Sequence, residues 1–188
     1  IDSLSVLIRE NPYADSLFYQ RAYYFAFSGD ITRAISDMEV AKKLNPEKIE
    51  YYLDLADFEL NRGESRIAKN ILDGAYDKFP ENVEVMIRLA NIYMAIGEYK
   101  EARTKLILAS RIEPRNANLY MLSSIIFTEI GEDDRAIEEL QKAVMYDPSF
   151  YDAHVMLGLI NARLGNNVAI DHYENAMRLQ PGNPEAVY

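Results

Sequence analysis

Apolar and small residues recur at helical spacing in two runs between residues 83 and 114. The first run includes Met86 and Ala90, the second includes Leu106, and Gly97 separates them before Pro114 ends the second. Intervals of three and four residues place side chains on one face of a helix. The pattern therefore predicts two amphipathic helices joined by a glycine turn and closed by proline.

Glycine and proline recur at the same spacing along the whole chain. The prolines stand 34 residues apart at Pro12, Pro46, Pro80, Pro114 and Pro148, with Pro181 after 33, and the glycines keep the same interval at Gly29, Gly63, Gly97, Gly131 and Gly165. A fixed period of this length is typical of stacked helical repeats. The sequence predicts a single domain with units 15–48, 49–82, 83–116, 117–150 and 151–183, a partial unit at 1–14 and the start of another at 184–188.

Three places in each unit, numbered from its first residue, carry small side chains. Places 8, 20 and 27 are Ala22, Ala34 and Ala41, then Ala56, Ala68 and Ala75, then Ala90, Ala102 and Ala109, then Ser124, Ala136 and Ala143, and finally Gly158, Ala169 and Ala176. Two helices approach closely only where no large side chain stands at their crossing, so these places predict the contact within each hairpin.

At these places the chain resembles the tetratricopeptide repeats, whose consensus has small residues at places 8, 20 and 27 and proline at place 32. The resemblance extends over essentially the whole chain and implies an all-α fold, a right-handed α-solenoid of antiparallel helix hairpins. Polar residues depart from it at place 7, with Arg21 and Ser123, and at place 11, with Glu59 and Asn161. The fifth unit also lacks one residue between Gly165 and Ala169.

Composition excludes several classes of function. The net charge of −10 disfavours nucleic acid as a partner, and the absence of cysteine removes thiolate catalysis and disulfides. No apolar run reaches the roughly 20 residues that span a bilayer, which predicts a soluble chain, with the cytoplasm and the periplasm equally compatible. The chain begins at Ile1 without a visible signal peptide, so we expect a fragment of a longer protein.

No set of residues predicts catalysis, a metal site or a cofactor. His154 occupies place 4, where other units carry apolar or aromatic residues, and is predicted to fill the core, whereas His172 is predicted to be solvated. Glu132, Asp133 and Asp134 lack the alternating ligand pattern of a calcium loop. Acidic residues are favoured at a helix start, so these three are predicted to act there.

In the family that the chain resembles, a concave groove of first helices binds segments of partner proteins through places 2, 5, 6, 9, 12 and 13. The residues chosen on that basis are Tyr19, Tyr23, Phe27, Glu50, Asp54, Asp57, Asn61, Glu84, Arg88, Asn91, Met94, Met121, Ile125, Glu129, Asp152, Leu159 and Arg163. Leu53, Ile87, Met121 and Val155 could instead pack against neighbouring first helices. The carboxylate clamp of some family members is not expected, because only Arg88 fits its pattern when it starts from the first unit.

The acidic and aromatic groove predicts a non-catalytic scaffold that binds a basic or amphipathic segment of a partner protein. Two alternatives remain open. The chain could be the targeting or regulatory arm of a larger enzyme or of a secretion or envelope complex. It could also self-associate through an apolar C-terminal end that only residues 186–188 would cover.

Overall fold

The computed structural model describes residues 2–181, and within that span it contains eleven α-helices and no strand. The helices are α1 (Asp2–Glu10), α2 (Asp15–Phe27), α3 (Ile31–Leu44), α4 (Ile49–Asn61), α5 (Ser65–Lys78), α6 (Val83–Ala95), α7 (Tyr99–Ile112), α8 (Ala117–Glu129), α9 (Asp133–Tyr146), α10 (Tyr151–Arg163) and α11 (Ala169–Leu179). The predicted all-α fold of helix hairpins is confirmed. The predicted start of a further unit at 184–188 lies outside the described residues.

Contacts divide the chain into two compact units, Ile1–Ile92 and Tyr93–Tyr188. The first unit contains α1 to α5 and most of α6, with hairpins formed by α2 with α3 and by α4 with α5. The second contains α7 to α11, with hairpins formed by α8 with α9 and by α10 with α11. None of the helices within residues 2–181 has both the length and the apolar composition needed to cross a membrane.

A glycine ends the first helix of each hairpin with a left-handed backbone. Gly29 follows α2 with φ of 81°, and Gly165 follows α10 with φ of 72°. An L-residue with a side chain rarely adopts these angles, so glycine is required at the turn. The acid that follows caps α3 through its side chain, where Asp30 accepts a hydrogen bond from the backbone N–H of Arg33 at 3.1 Å. The longer side chain of Glu64 makes no such bond at the start of α5.

The small residues at places 8, 20 and 27 are all buried. Alanine at these places is 0% exposed throughout, except for Ala169 at 5%. In the first compact unit this lets α2 approach α3 and α4 approach α5, and Met38 and Leu72 at place 24 fill the core beside them. The predicted role of the small residues in the close contact of paired helices is therefore confirmed.

The polar side chain at place 4 closes the end of the preceding helix. The hydroxyl groups of Tyr52 and Tyr120 donate to the carbonyl oxygens of Pro46 and Pro114, at 3.2 and 2.7 Å. His154 contacts the carbonyl oxygen of Pro148 in the same way, with 3.1 Å between Nε2 and the oxygen. His154 is buried, as predicted, and takes the place of a tyrosine.

The polar departures from the family pattern find partners inside the fold. Arg21 makes a two-pronged contact with the buried Asp37, with Nε to Oδ2 at 2.6 Å and a second nitrogen to Oδ1 at 2.8 Å. The buried Glu59 accepts from Arg62 at 2.6 Å. Asn161 donates to the carbonyl oxygen of Leu157 at 2.9 Å. Each of these buried polar groups is thus hydrogen-bonded, which avoids the cost of leaving it unpaired.

In the last hairpin, one of two facing residues is smaller than in the other units and the other is larger. Place 8 is Gly158 on α10 instead of alanine, and place 24 is Tyr173 on α11 instead of leucine or methionine. A methyl group added to Gly158 would come within 2.5 Å of the Tyr173 ring. The ring therefore occupies the space that the side chain of alanine or serine takes at place 8 of the other units.

We expect Gly158→Ala and Tyr173→Leu each to destabilise the protein, and the double variant to recover most of the loss. Gly158→Ala overpacks the contact at a cost of about 1–3 kcal/mol, of which the better helix propensity of alanine offsets about 1 kcal/mol. The double variant recreates the pair formed by Ala56 and Leu72. Denaturant unfolding of the four proteins measures a coupling free energy, expected to be about 1–2 kcal/mol in favour of the double variant. Simple additivity of the two changes would contradict the contact.

Candidate functional site

Three aromatic side chains lie at intervals of four residues on α2. Tyr19, Tyr23 and Phe27 therefore follow one face of the helix. Two carboxylates of α4 join them: Oδ2 of Asp54 accepts from the phenol of Tyr19 at 3.0 Å, and Glu50 lines a cavity together with Tyr19. We call these five residues the aromatic–acid patch. All five belong to the first compact unit.

The rings of the patch contact one another and two aromatic residues of α4. Tyr19 meets Tyr23 edge to face, with ring centroids 5.0 Å apart, and lies 5.1 Å from the ring of Tyr51. Tyr23 meets Phe58 edge to face at 5.8 Å. Edge-to-face contacts of this kind hold rings in defined orientations. The hydrogen bond and the ring contacts therefore fix one face of α2 against α4.

Exposure increases along the aromatic row. Tyr19 is half-buried, Tyr23 is 43% exposed, and Phe27 is 95% exposed. The phenyl ring of Phe27 buries little of its apolar surface within the unit. That surface is therefore free to be buried against another molecule. The row thus runs from an ordered base at Tyr19 to an exposed tip at Phe27.

Both tyrosines of the patch remain protonated donors at neutral pH. Burial raises the pKa of Tyr19, and the hydrogen bond to Asp54 adds to this effect against an opposing contact with Tyr23. Burial also raises the pKa of Tyr23 strongly, and the hydroxyl of Tyr19 and the charge of Asp54 contribute in the same direction. A protonated phenol can hold the Asp54 carboxylate without neutralising its charge.

Some of the predicted acids in the first unit form a salt bridge with an arginine, and others do not. Arg88 on α6 contacts Asp57, and its Nε donates to Oε1 of Glu84 at 2.8 Å. Burial opposes the charge of Arg88, but the hydrogen bonds to Asp57 and Glu84 prevail and raise its pKa. Glu50 and Asp54 form no salt bridge with any residue that the structure describes. Of the four predicted acids on α4 and α6, the two that have no cationic partner among the described residues therefore lie in the patch.

A small network fixes the edge of the patch. Oδ2 of Asp15 accepts from the Tyr51 phenol at 2.6 Å and from Asn45 at 3.1 Å, and it forms a salt bridge with Lys48 at 3.1 Å. The Tyr51 bond is the main cause that lowers the pKa of Asp15 to about 2, against the opposing effect of burial. Lys48, Tyr51, Tyr19 and Glu50, with Ser16, line a cavity of about 230 Å³.

Two predicted residues of the first unit lie outside this cluster. Asn61 at the end of α4 and Asn91 on α6 are both exposed. The structure thus brings together Tyr19, Tyr23 and Asp54 through direct contacts. It forms a second group of Asp57, Glu84 and Arg88.

The predicted residues of the second compact unit are more scattered. Met121 is buried in the apolar core with Leu140 and Leu157, where only 9% of its surface is exposed, so it packs within the unit rather than facing a partner. Val155 is likewise 9% exposed. Met94 and Ile125 are half-buried, and Glu129, Asp152, Leu159 and Arg163 are exposed.

Several charged residues of the second unit already have partners. Glu129 accepts from the Tyr99 phenol at 3.3 Å, and Arg163 pairs with Asp133. Glu132, in the acidic cluster, pairs with Arg135. Among the described residues, no group of three or more potential ligands is arranged to hold a metal ion. The acids Glu132 and Asp133 at the start of α9 are thus each paired with an arginine.

The two histidines form a pair, which corrects the prediction that His172 is solvated. His172 is half-buried, and its Nδ1 lies 3.5 Å from Nδ1 of His154. Because one residue is missing from the turn before α11, His172 aligns with Asp37, which also faces inward. The carbonyl of Pro148 can only accept, so Nε2 of His154 carries the proton and its Nδ1 can accept from His172.

Sequence reasoning did not single out Tyr51, Phe58, Lys48 or Asp15, all of which shape the patch. The 34-residue period is the sequence signal that could have predicted these contacts. Residues about 34 apart lie side by side on successive first helices, as shown by Tyr19 with Asp54, which are 35 apart, and Asp57 with Arg88, which are 31 apart. A search for complementary residues at these separations would have found both pairs.

Helix hairpins that recur every 34 residues, with glycine turns and small residues at each crossing, define a helical-repeat protein. Residues 66–126 and 129–184 match two family models that are both described as tetratricopeptide repeat. Together these regions cover more than half of the chain, so the chain belongs to the tetratricopeptide repeat family. A comparison with curated protein sequences gave no match.

Solved structures share the fold at low sequence identity. MamA from Desulfovibrio magneticus RS-1 is 21% identical with a TM-score of 0.76, and the match covers 90% of this chain and 97% of that one. YrrB, described as a TPR protein with an unusual peptide-binding site, is 18% identical with a TM-score of 0.71, covering 98% and 95%. PilF from Pseudomonas aeruginosa is 15% identical with a TM-score of 0.78, covering 93% and 80%. At these identities the similarity shows the fold alone.

We expect the free energy of unfolding to decrease as the pH falls below about 6.5, the unperturbed pKa of histidine. Burial lowers the pKa of His172, and the neighbouring His154 lowers it further. The unfolded chain then binds more protons than the folded chain in the window below 6.5, so acidification favours unfolding. Urea unfolding at about pH 7.5 and pH 5.5 measures the difference, within a range where most carboxylates stay ionised.

The matched variant for this measurement is His172→Gln, which keeps a polar side chain but cannot titrate. It should lose much of the pH dependence between these two values. An unchanged pH dependence in His172→Gln would assign the effect to other groups.

Proposed function

We propose that this chain is a non-catalytic scaffold that binds a basic or amphipathic segment of a partner protein at the aromatic–acid patch. The observation that carries the proposal is the presence of two carboxylates, Glu50 and Asp54, without a cationic partner among the described residues and beside exposed aromatic rings. A lysine or arginine of a partner would supply the missing charge. The patch would then act as one part of the predicted groove of first helices.

The geometry favours recognition of a cation next to an apolar group. Asp54 is already oriented by Tyr19, so a partner ammonium or guanidinium would meet a carboxylate that loses little freedom on binding. The face of Tyr23 can also attract a cation. Phe27, one helical turn further, offers apolar area to a neighbouring hydrophobic residue of the same segment.

The comparisons support this class of function. Tetratricopeptide-repeat proteins are generally non-catalytic scaffolds for protein partners. The structurally similar YrrB is described as having a peptide-binding site. We extend peptide binding from that fold to this chain as part of the proposal, with the chemistry of the peptide argued from Glu50, Asp54 and the aromatic row.

The two alternative functions stay predictions. A role as an arm of a larger assembly is compatible with the same patch, since the assembly would then supply the basic segment. Self-association was predicted through the apolar flank of the last hairpin, and residues 186–188, which would cover that flank, lie outside the described residues.

We expect the double variant Glu50→Gln and Asp54→Asn to weaken binding of a basic amphipathic helical peptide by about tenfold, through loss of two attractive charges. The amide oxygen that Asp54→Asn introduces can still accept the hydrogen bond from Tyr19, so the fold of the patch is retained. Isothermal titration calorimetry at two salt concentrations gives the affinity and its ionic-strength dependence, which should also decrease.

The matched control removes the same number of charges elsewhere with Glu64→Gln and Glu81→Gln, both at exposed positions of the first unit. Its affinity should stay within about twofold of the original. Equal weakening by both double variants would show only a general effect of net charge, and the patch would be rejected as the site.

Phe27→Ser separates binding from stability. Because Phe27 is 95% exposed, its replacement should change the free energy of unfolding by less than about 0.5 kcal/mol. The affinity for the same peptide should decrease by about tenfold if the ring is a binding anchor. An unaltered affinity would remove Phe27 from the site.

A further inference from the structure

The second compact unit contains a pocket on the side of α8 that faces α7 and α9. Its volume is about 200 Å³, and it is lined by residues from all three helices. Phe127 and Tyr120 on α8 contribute aromatic surface, while Arg103 on α7 and Arg135 on α9 contribute guanidinium groups. None of these residues belongs to the aromatic–acid patch.

The pocket exists at the place where a leucine is missing. Place 7 is a fully buried leucine in three units, Leu55, Leu89 and Leu157, but it is Ser123 on α8. Ser123 lines the pocket, and its hydroxyl donates to the carbonyl oxygen of Leu119 at 2.9 Å. The small side chain directs its polar group to its own helix and leaves the neighbouring space open.

Two guanidinium groups lie against the same phenyl ring. Arg135 is 4.2 Å and Arg103 is 5.2 Å from the ring centroid of Phe127, which is itself buried. The first hairpin also has two guanidinium groups beside one ring, Phe25, with Arg33 at 4.6 Å and Arg21 at 5.7 Å, although Arg21 lies on the same helix as the ring. The two sites therefore allow a comparison within one chain.

The two sites differ in what holds the second guanidinium. In the first hairpin, the carboxylate of Asp37 binds Arg21 with two hydrogen bonds. The residue aligned with Asp37 in the pocket is Glu139, and it pairs with Lys142 at 2.7 Å. Arg103 is half-buried and forms no salt bridge with any described residue.

We propose that this pocket binds one carboxylate group, supplied by an aspartate or glutamate side chain of a partner protein. The bound carboxylate would meet Arg103 as Asp37 meets Arg21. A guanidinium group matches a carboxylate through two parallel hydrogen bonds. The volume is sufficient for a single side chain.

The charges around the pocket favour a carboxylate over a phosphate. Arg103, Arg135 and Lys142 line it together with Glu138 and Glu139. Lys142 pairs with Glu139 and Arg135 pairs with Glu132, so Arg103 is the lining cation that has no salt bridge among the described residues. Its single charge matches a monoanion better than a dianion. Glu138 belongs to no salt bridge in the described part of the chain, so its carboxylate competes with the ligand for the cations of the pocket.

The test is a titration of the full chain with N-acetylglutamate amide, followed by NMR at the side-chain Nε–Hε signals of the arginines. We expect a saturable shift at Arg103 with a millimolar dissociation constant. Arg33, which stacks on Phe25 in the same way, is the internal control and should not respond. N-acetylglutamine amide, the neutral analogue, should produce no shift, and inorganic phosphate should bind more weakly than the carboxylate.

Three variants sharpen the result. Ser123→Leu fills the pocket, so it should abolish the shift while raising the unfolding temperature, which rules out loss of folding as the cause. Arg103→Gln should abolish the saturable response at Arg135. Glu138→Gln should tighten binding by about threefold, since a competing charge is removed.

The proposal is overturned if no saturable shift occurs, if Arg33 responds as strongly as Arg103, or if Ser123→Leu binds the probe unchanged. Tighter binding of phosphate than of the carboxylate would overturn the choice of ligand. None of these outcomes depends on the aromatic–acid patch.

Discussion

The close crossing of paired helices is the constraint on which the rest of this structure depends. Alanine at places 20 and 27 is buried in every unit, and it leaves no space for a larger side chain at the crossing. Once the backbones approach this closely, the remaining core must be filled from fixed positions. A change of size at one position then requires a matching change opposite, as Gly158 and Tyr173 illustrate. Where no match occurs, as at Ser123, a pocket results.

Polar residues in this frame acquire their chemical character from their neighbours rather than from their own type. Asp57 and Asp54 lie three residues apart on α4, yet Arg88 compensates the first and a neutral phenol contacts the second. Arg21 and Arg103 both lie against a buried ring, but of these two only Arg21 forms a salt bridge within the described residues. The surface chemistry of the protein thus depends on pairing between helices of one unit and between first helices of consecutive units.

The periodic features of the fold could be predicted from the sequence because they repeat. Glycine at place 15, the small crossing residues and the starts of the first helices all follow from the 34-residue interval, and the structure agrees. The site was harder to predict, because a count of acids does not reveal which of them face a cation. Met121 belongs to a helix with two buried faces, so its place number alone did not show that it is in the core. His172 was misjudged because its partial burial comes with a contact to His154 on the preceding helix, which the place number of His172 does not reveal.

The hydrogen bond from place 4 to the proline carbonyl joins one unit to the next. Its donor and acceptor are six residues apart, on opposite sides of the boundary that the numbering draws between consecutive units. The module that could be transplanted into another repeat array therefore does not coincide with the interval from one first helix to the next. A chimera joined within that six-residue stretch would inherit half of a contact from each parent. Grafts that keep the proline together with the ring at place 4 would preserve this hydrogen bond. Phe18 and Met86 have no such donor, so a junction before either of them would divide no contact of this kind.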